Sequence, residues 1–291
     1  MIRVGPAGWS YADWEGPVYP QRKPRGFHPL AYLARYFSVI EINSSFYGLP
    51  KRENSQRWTE LVAHDPSFRF SAKLHQDFTH GEESIDNLQR EVGEFHAGLE
   101  PLMQAGKLAA LLAQFPISFR CESKSQRRLE ELRANFSRVP LVLELRHRSW
   151  FEPHALQQIE KLDCSLAAID LPEAKDHPPA DHPTPGALGY LRLHGRNSKT
   201  WFSAAGRDQK YDYLYTPGEI AGLTERARRL SGGHADTYVI LNNHFEGKAV
   251  ASALELLAAL RGAAVPIPPP LVKRYPNLAG ICIPEGQREL F

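Results

Sequence analysis

Lys73, Glu144 and His194 are an amine, a carboxylate and an imidazole at the ends of short apolar runs, and each could move a proton. Their spacing carries the argument. Every second residue of these runs is polar: Glu41 and Asn43, Ser71 and Lys73, Gln114, Glu144 and Arg146, Asp170, Arg192 and His194, Asn242. The residues between them are mostly Ile, Leu or Val. Side chains alternate across a strand, so this pattern places the polar set on one face and the apolar set on the other. Buried charge is costly unless it is paired, so such a face must neutralise itself or serve a ligand. Glu144 is the first candidate general acid or base and His194 the second. Lys73, Arg146 and Arg192 suit an anion, the arginines through bidentate contacts. Asn43, Asn242 and Asn243 suit the orientation of hydroxyls. An internally paired network is the bland alternative, and for Glu41 and Arg192 it is as strong as a functional role.

The elements that must hold these residues repeat along the chain. Strand-like runs at 2–7, 38–43, 68–74, 108–114, 140–146, 165–170, 190–194 and 238–242 mostly alternate with segments of helical spacing. The exception is 171–186, a Pro-, Asp- and His-rich stretch placed where a lid over a pocket would sit. Eight such alternations predict an α/β chain of parallel strands, a single (β/α)8 TIM-type barrel over residues 1–262. No GxGxxG follows the first run, which weighs against an open dinucleotide-binding sheet. In that barrel the active site lies at the C-terminal ends of the strands, where the polar residues collect. Residues 263–291 carry Pro266, Pro268, Pro269, Pro270, Pro276 and Pro284, and the expectation there is an extended Pro-rich tail without helix.

Composition sets the outer bounds. A chain of 291 residues, 42% hydrophobic and 23% charged, can bury a sizeable core without staples. The net charge of +2 makes no demand for nucleic acid. Three scattered cysteines fit neither a disulfide framework nor a CxxC metal knuckle, and point to a reducing compartment. Met1-Ile-Arg-Val enters a strand at once without a signal peptide, and the apolar runs are too short to span a bilayer. A cytoplasmic protein with no membrane partner is expected. There is no HExxH, and although His75, His80, His147, His194 and His244 all follow strand-like runs, neither a metal nor another cofactor is expected. Aromatics crowd the loops after the strands: Trp9, Tyr11 and Trp14, then Phe46 and Tyr47, then Trp150 and Trp201. Trp9, Tyr11, Tyr47 and Trp150 are the candidates for stacking on a base or sugar, with loop packing as the alternative for about half of the set.

On these residues the chain resembles the bacterial and archaeal family called domain of unknown function 72, the YecE-like proteins. The segments that carry the likeness are Gly8-Trp9-Ser10-Tyr11 with Trp14, Glu41-Ile-Asn-Ser-Ser-Phe-Tyr47, and Phe70-Ser-Ala-Lys73 with Thr79-His80. Glu144-Leu-Arg-His-Arg-Ser-Trp150, Tyr190-Leu-Arg-Leu-His-Gly195 and Leu241-Asn-Asn-His244 with Gly247 and Ala249 complete them. The resemblance covers the chain from residue 2 to about 260 and implies a TIM-type barrel, with no established activity. At the C-terminus, Gln287-Arg-Glu-Leu290-Phe291 is similar to the Gln-x-x-Leu-Phe peptide by which bacterial DNA-processing proteins dock on the sliding clamp. In that reading Gln287 is a polar anchor, and Leu290 and Phe291 enter an apolar pocket. Packing of the same residues on the barrel is the alternative.

The leading expectation is an enzyme, a hydrolase of a phosphate ester or phosphodiester, that binds an anionic ligand or nucleic acid at the strand ends. A sugar-processing enzyme using Glu41 and Glu144 as a carboxylate pair is the first alternative. A non-catalytic DNA-associated module is the second, recruited by its tail and using the basic segments 120–138 and 192–210.

Overall fold

The strands of the computed structural model, which describes residues 1–202 and 206–283, all run parallel. They are β1 Ile2–Pro6, β2 Val39–Ile42, β3 Arg69–Lys73, β4 Leu108–Gln114, β5 Leu141–Glu144, β6 Ser165–Leu166, β7 Ala168–Asp170, β8 Leu188–Leu193 and β9 Asp236–Leu241. The α-helices are α1 Pro29–Leu33, α2 Ser44–Tyr47, α3 Arg52–Leu61, α4 Gln76–Thr79, α5 Gln89–Gln104 and α6 Ser123–Asn135 in the first half. The second half holds α7 Pro153–Lys161, α8 Ser198–Trp201, α9 Arg207–Lys210, α10 Pro217–Gly232, α11 Lys248–Arg261 and α12 Pro269–Arg274. Local sequence explains the longer ends. Thr216 and Glu219 form a reciprocal capping box ahead of α10, with Pro217 at its first turn, and Gly262 ends α11 in the left-handed conformation at φ 64°.

The expected closed ring is met only in part. The strands pair in two sheets, β1-β9-β8-β7 and β2-β3-β4-β5-β6, and the ladder is interrupted at two places. Between β1 and β2 only the bridge from Ala7 to Glu41 and the bond from Gly8 N to Glu41 O (2.8 Å) connect the sheets. The two strands nonetheless touch, because a Cβ on Gly5 would stand 1.8 Å from the Val39 carbonyl oxygen. The second interruption divides the sixth run. β6 pairs with β5 and β7 with β8, and beside β6 the Ser165 hydroxyl, in place of a backbone carbonyl, accepts from Leu188 N at 3.0 Å.

The strand alternation sorts the core into two clusters. Val39, Ala110, Leu112, Val142, Tyr190, Tyr238 and Ile240 pack together between the sheets, while Ile40, Leu111, Leu143, Leu191 and Leu241 join the larger cluster under the helices. Glu41, Ser71, Glu144 and Arg192 share the first face and are buried. One expectation for that face fails. Ala167 and Ile169 belong to the inner cluster and Leu166 and Ala168 to the outer one, so Asp170 points outward. Its partners there are Arg196 and the hydroxyl of Tyr215 (2.8 Å).

The Pro-rich segment departs from its expectation over 269–281. It forms α12 and a 3-10 turn, Pro276–Ile281, and buries Leu271, Tyr275 and Leu278. The reason lies in where the prolines stand. Pro269, Pro270 and Pro276 occupy first-turn positions, where a helix needs no backbone donor and the fixed φ of proline suits it. Gln287, Leu290 and Phe291 lie outside the described residues. Among the described residues no helix is long and apolar enough to cross a membrane.

Candidate functional site

The largest concentration of the sequence candidates surrounds a cavity of about 440 Å³. Loops at the C-terminal ends of β1 and β2 supply Trp9, Ser10, Tyr11, Asn43, Ser44 and Tyr47. The ends of β3, β4 and β9 add Lys73, Gln114 and Asn242. Gly8, at φ 82°, turns the chain out of β1, and the ring of Tyr11 would meet any Cβ there at 2.9 Å. That turn lays Tyr11 flat on His244, with centroids 4.6 Å apart and an angle of 9° between the rings, and Asn43 Nδ2 donates to its hydroxyl at 3.3 Å. Asn43 Oδ1 is buried without a protein partner.

Lys73 is the charged side chain of this lining. It is only 7% exposed. Nζ donates to Gln114 Oε1 at 3.0 Å and stands 3.9 Å from the centroid of Phe46. Burial, reinforced by the positive charge of Arg192, outweighs the attraction of Glu41 and Glu144 and lowers the ammonium pKa to about 7. The amine is therefore substantially neutral at physiological pH.

Beneath it lies a closed charge network. Arg192 donates to Glu41 through Nη2 (2.6 Å) and Nε (3.1 Å), and to Glu144 through Nη1 (2.8 Å). The Tyr190 hydroxyl donates a hydrogen bond to Glu41 Oε2 at 2.8 Å, and the Ser71 hydroxyl stands 2.9 Å from the Tyr190 oxygen. Glu144 also accepts from Arg146 Nε at 2.8 Å and faces His194 Nε2 at 3.2 Å. Burial alone would raise the Glu144 pKa, but Arg192, Arg146 and His194 prevail and hold the carboxyl well below the usual range. His194 receives Asn242 Nδ2 at Nδ1 (3.1 Å), and burial pushes its pKa down to about 3, against the pull of Glu144. It is a neutral, fully buried imidazole at neutral pH.

The structure thus separates the candidates. Lys73, Asn43, Asn242, Trp9, Tyr11 and Tyr47 line the cavity, whereas Glu41, Glu144, Arg146, Arg192 and His194 do not. Of the three candidate catalytic groups, Lys73 alone opens on it. Asn243 is buried and donates to the Tyr213 carbonyl at 2.8 Å. Trp150 is fully buried, stacked on Phe119 and donating to its carbonyl at 2.7 Å, so loop packing accounts for it. Asp170 lines a second cleft instead, with the 171–186 loop, which is fastened by the bond from Arg148 N to Asp176 O (2.9 Å).

Gln114, from the polar face of the strands, and His244, one of the histidines that follow them, also line the cavity, and Ser10, Ser44, Asn54, Trp58 and Tyr211 complete it without having been site candidates in the sequence. Asn54 and Trp58 were findable, because they stand one helical turn apart on the helix that follows the second strand. Trp58 meets Trp9 edge to face at 5.3 Å. Tyr211 follows α9 in a segment without usable periodicity. Part of the two basic segments is engaged: Arg128 donates to backbone carbonyls, Arg133 pairs with Asp163, Arg138 with Glu100, Arg192 with Glu41 and Arg196 with Asp170. Among the described residues no group of three or more His, Cys, Asp or Glu side chains is placed to hold a metal ion.

The family model described as "Protein of unknown function DUF72" matches residues 3–274. The UPF0759 protein YunF of Bacillus subtilis is 27% identical over 273 residues, which are 89% of this chain and 95% of that protein. The UPF0759 protein YecE of Escherichia coli K12 is 30% identical over 119 residues, 41% of this chain and 39% of that one. The crystal structure of a DUF72 family protein from Thermotoga maritima superposes with a TM-score of 0.77 at 30% identity, covering 90% of this chain and 99% of that one.

Proposed function

The chain belongs to the DUF72 family, and from that premise we propose that it is an enzyme acting on a small hydroxyl-bearing molecule held at the strand ends, with Lys73 as the reacting group. The carrying observation is the Lys73 amine itself, buried at the cavity wall between Gln114 and Phe46 with its pKa lowered to about 7. A lysine placed in this way is half converted to a base at neutral pH, where an ordinary lysine near 10.4 is almost wholly protonated. Around it the lining is amide, hydroxyl and aromatic: Asn43, Asn54, Asn242, Gln114, Ser10 and Ser44 against Trp9, Trp58 and Tyr47. Amides serve hydroxyls as donor and acceptor together, and flat rings cover the C–H face of a sugar-like body.

The hydrolytic use of a carboxylate pair finds less support. Glu41 and Glu144 are both fully buried and share one guanidinium, so neither reaches a ligand in the cavity. A phosphate ester or nucleotide is the second reading, supported by the charge that Lys73 keeps when protonated and by the aromatic walls. It lacks the two arginine holders, because Arg192 and Arg146 are engaged by carboxylates.

A ligand screen by thermal shift and titration calorimetry tests both. Polyols, reducing sugars, sugar phosphates and nucleotides are compared on the intact chain and on Asn54→Ala and Trp58→Ala. A hydroxylated, uncharged ligand whose affinity falls about tenfold in each variant, one good contact apiece, is the expected result. Binding restricted to phosphorylated compounds would move the second reading to the front. Binding that ignores both substitutions would remove the cavity from the argument.

A further inference from the structure

The geometry points to a Schiff base: Lys73 Nζ condenses with the carbonyl carbon of a small hydroxylated aldehyde or ketone held in the cavity. This inference rests on the proposed reading of the site and adds the class of substrate and the bond that forms. Three observations support it. The amine is buried, with the residue only 7% exposed, and it is part of the cavity lining. Its stem rises from β3, where Lys73 pairs with Leu112 of β4 and the preceding Ser71 and Ala72 pair with β4 on one side and with Glu41 and Ile42 of β2 on the other. Its carboxylate neighbours Glu41 and Glu144 are paired with Arg192, and among the described residues no carboxylate forms a salt bridge with Nζ.

The lone pair of the neutral amine attacks the carbonyl carbon, and the carbonyl π pair moves to oxygen. A proton passes from nitrogen to that oxygen and gives a carbinolamine. The nitrogen lone pair then re-forms the double bond to carbon as the hydroxyl leaves as water, taking back from solvent the proton that the ammonium gave up to become the neutral amine. The net change is one ammonium plus one carbonyl to one protonated imine plus one water, with no oxidant or reductant. Burial helps both directions of need, since it supplies the neutral nucleophile and excludes water from the imine that results. The side chains placed beside Lys73 to meet substrate hydroxyls are the lining amides of Asn43, Asn54 and Asn242, the last of which already bonds His194 Nδ1 through Nδ2. Lys107 supplies an internal control. It is also buried, but it donates to the Asp65 carbonyl and lines no described cavity.

The experiment is reductive trapping on the full chain. The protein is incubated at pH 7 with glyceraldehyde or dihydroxyacetone and sodium cyanoborohydride, and the adduct is located by peptide mass mapping. Lys73 should be modified at least about tenfold faster than the exposed Lys51 and Lys124, with Lys107 unmodified, because ordinary amines are almost fully protonated at this pH. An excess of any uncharged ligand found in the thermal-shift screen should suppress the Lys73 adduct alone. No Lys73 adduct, in a protein whose melting temperature such ligands do raise, would overturn the Schiff base and leave Lys73 as a proton-transfer group. Adducts confined to exposed lysines, with no ligand raising the melting temperature, would overturn both this inference and the proposed function.

Discussion

Two polar layers lie one above the other in this molecule, and they differ in how their charge is disposed. In the lower one, Glu41, Tyr190, Arg192, Glu144, Arg146 and His194 pair with one another and all but Arg146 are buried, although Arg146 Nη2 and His194 Nε2 lie near Glu144 without forming hydrogen bonds. In the upper one, Lys73 faces amides, hydroxyls and rings, and an amide oxygen of Asn43 is left unpaired. The lower layer holds more of the ionisable groups that a search for chemistry would select, yet the upper one has the room and the open valences. Buried ion pairs of this completeness serve position and electrostatics more than reaction. Here the lower layer sets the potential that Lys73 feels, with Arg192 pushing its proton off and Glu41 and Glu144 drawing it back.

Removing the centre of the lower layer should have the largest effect. Arg192→Leu leaves two buried carboxylates without their shared partner and should cost about 3–5 kcal/mol in denaturant unfolding. A loss below about 1 kcal/mol would mean that the network is not closed as described. Next, Lys73→Met should abolish the trapped adduct and lower turnover of any identified substrate by about 10²–10⁴-fold while the fold persists. Its stability effect has a definite sign. Below pH 7 Lys73 is protonated in both the folded and unfolded chain, and the fold bears the full penalty of burying the charge. Between about 7 and the ordinary lysine value the unfolded chain holds a proton that the native one has lost, so parent stability rises with pH. The methionine variant should lack that rise, and its advantage over the parent should be greatest below pH 7. The groups facing Nζ across this window are Arg192, Arg146, Glu41 and Glu144, with Gln114 and Phe46 in contact. A parallel pH dependence in parent and variant would contradict the lowered pKa.

Smaller effects sharpen the boundary of the upper layer. Trp58→Ala should weaken ligand binding about tenfold, whereas Trp150→Phe should cost about 1 kcal/mol of stability through its lost bond to the Phe119 carbonyl and leave affinity unchanged. Equal losses of affinity in the two would restore Trp150 to the site. The smallest structural effect belongs to deletion of residues 287–291. It should leave unfolding unaltered and abolish binding to a bacterial sliding clamp in a pull-down with purified components. Binding that survives the deletion, or that the intact chain never shows, would end the docking reading of Gln287, Leu290 and Phe291.

Much of the architecture was legible in the sequence because it rests on local periodicity. The fourth strand-like run matches β4, Leu108–Gln114, at both ends, and the interior set from Glu41 to Asn242 follows from alternation alone. Asp170 obeys the alternation, lying in phase with Leu166 and Ala168 on the outer face, and its polarity by itself does not tell which of the two alternating faces is the inner one. The helix at Pro269–Arg274 was missed because proline count was weighed over proline position.

What residue order determined by itself is the parallel α/β plan, the polar face of its strands and the crowd of candidates at their C-terminal ends. The tertiary structure alone decided which of those candidates are occupied with one another. Glu144 and Lys73 each lie at the end of an alternating run and read alike in sequence. Only the distances show that one carboxylate meets three cations or imidazoles while the amine meets an amide and a ring. The physical reason is that alternation specifies a side chain's face, whereas its charge state and freedom depend on partners brought from other strands, 41 residues away for Lys73 and Gln114 and 48 for Glu144 and Arg192.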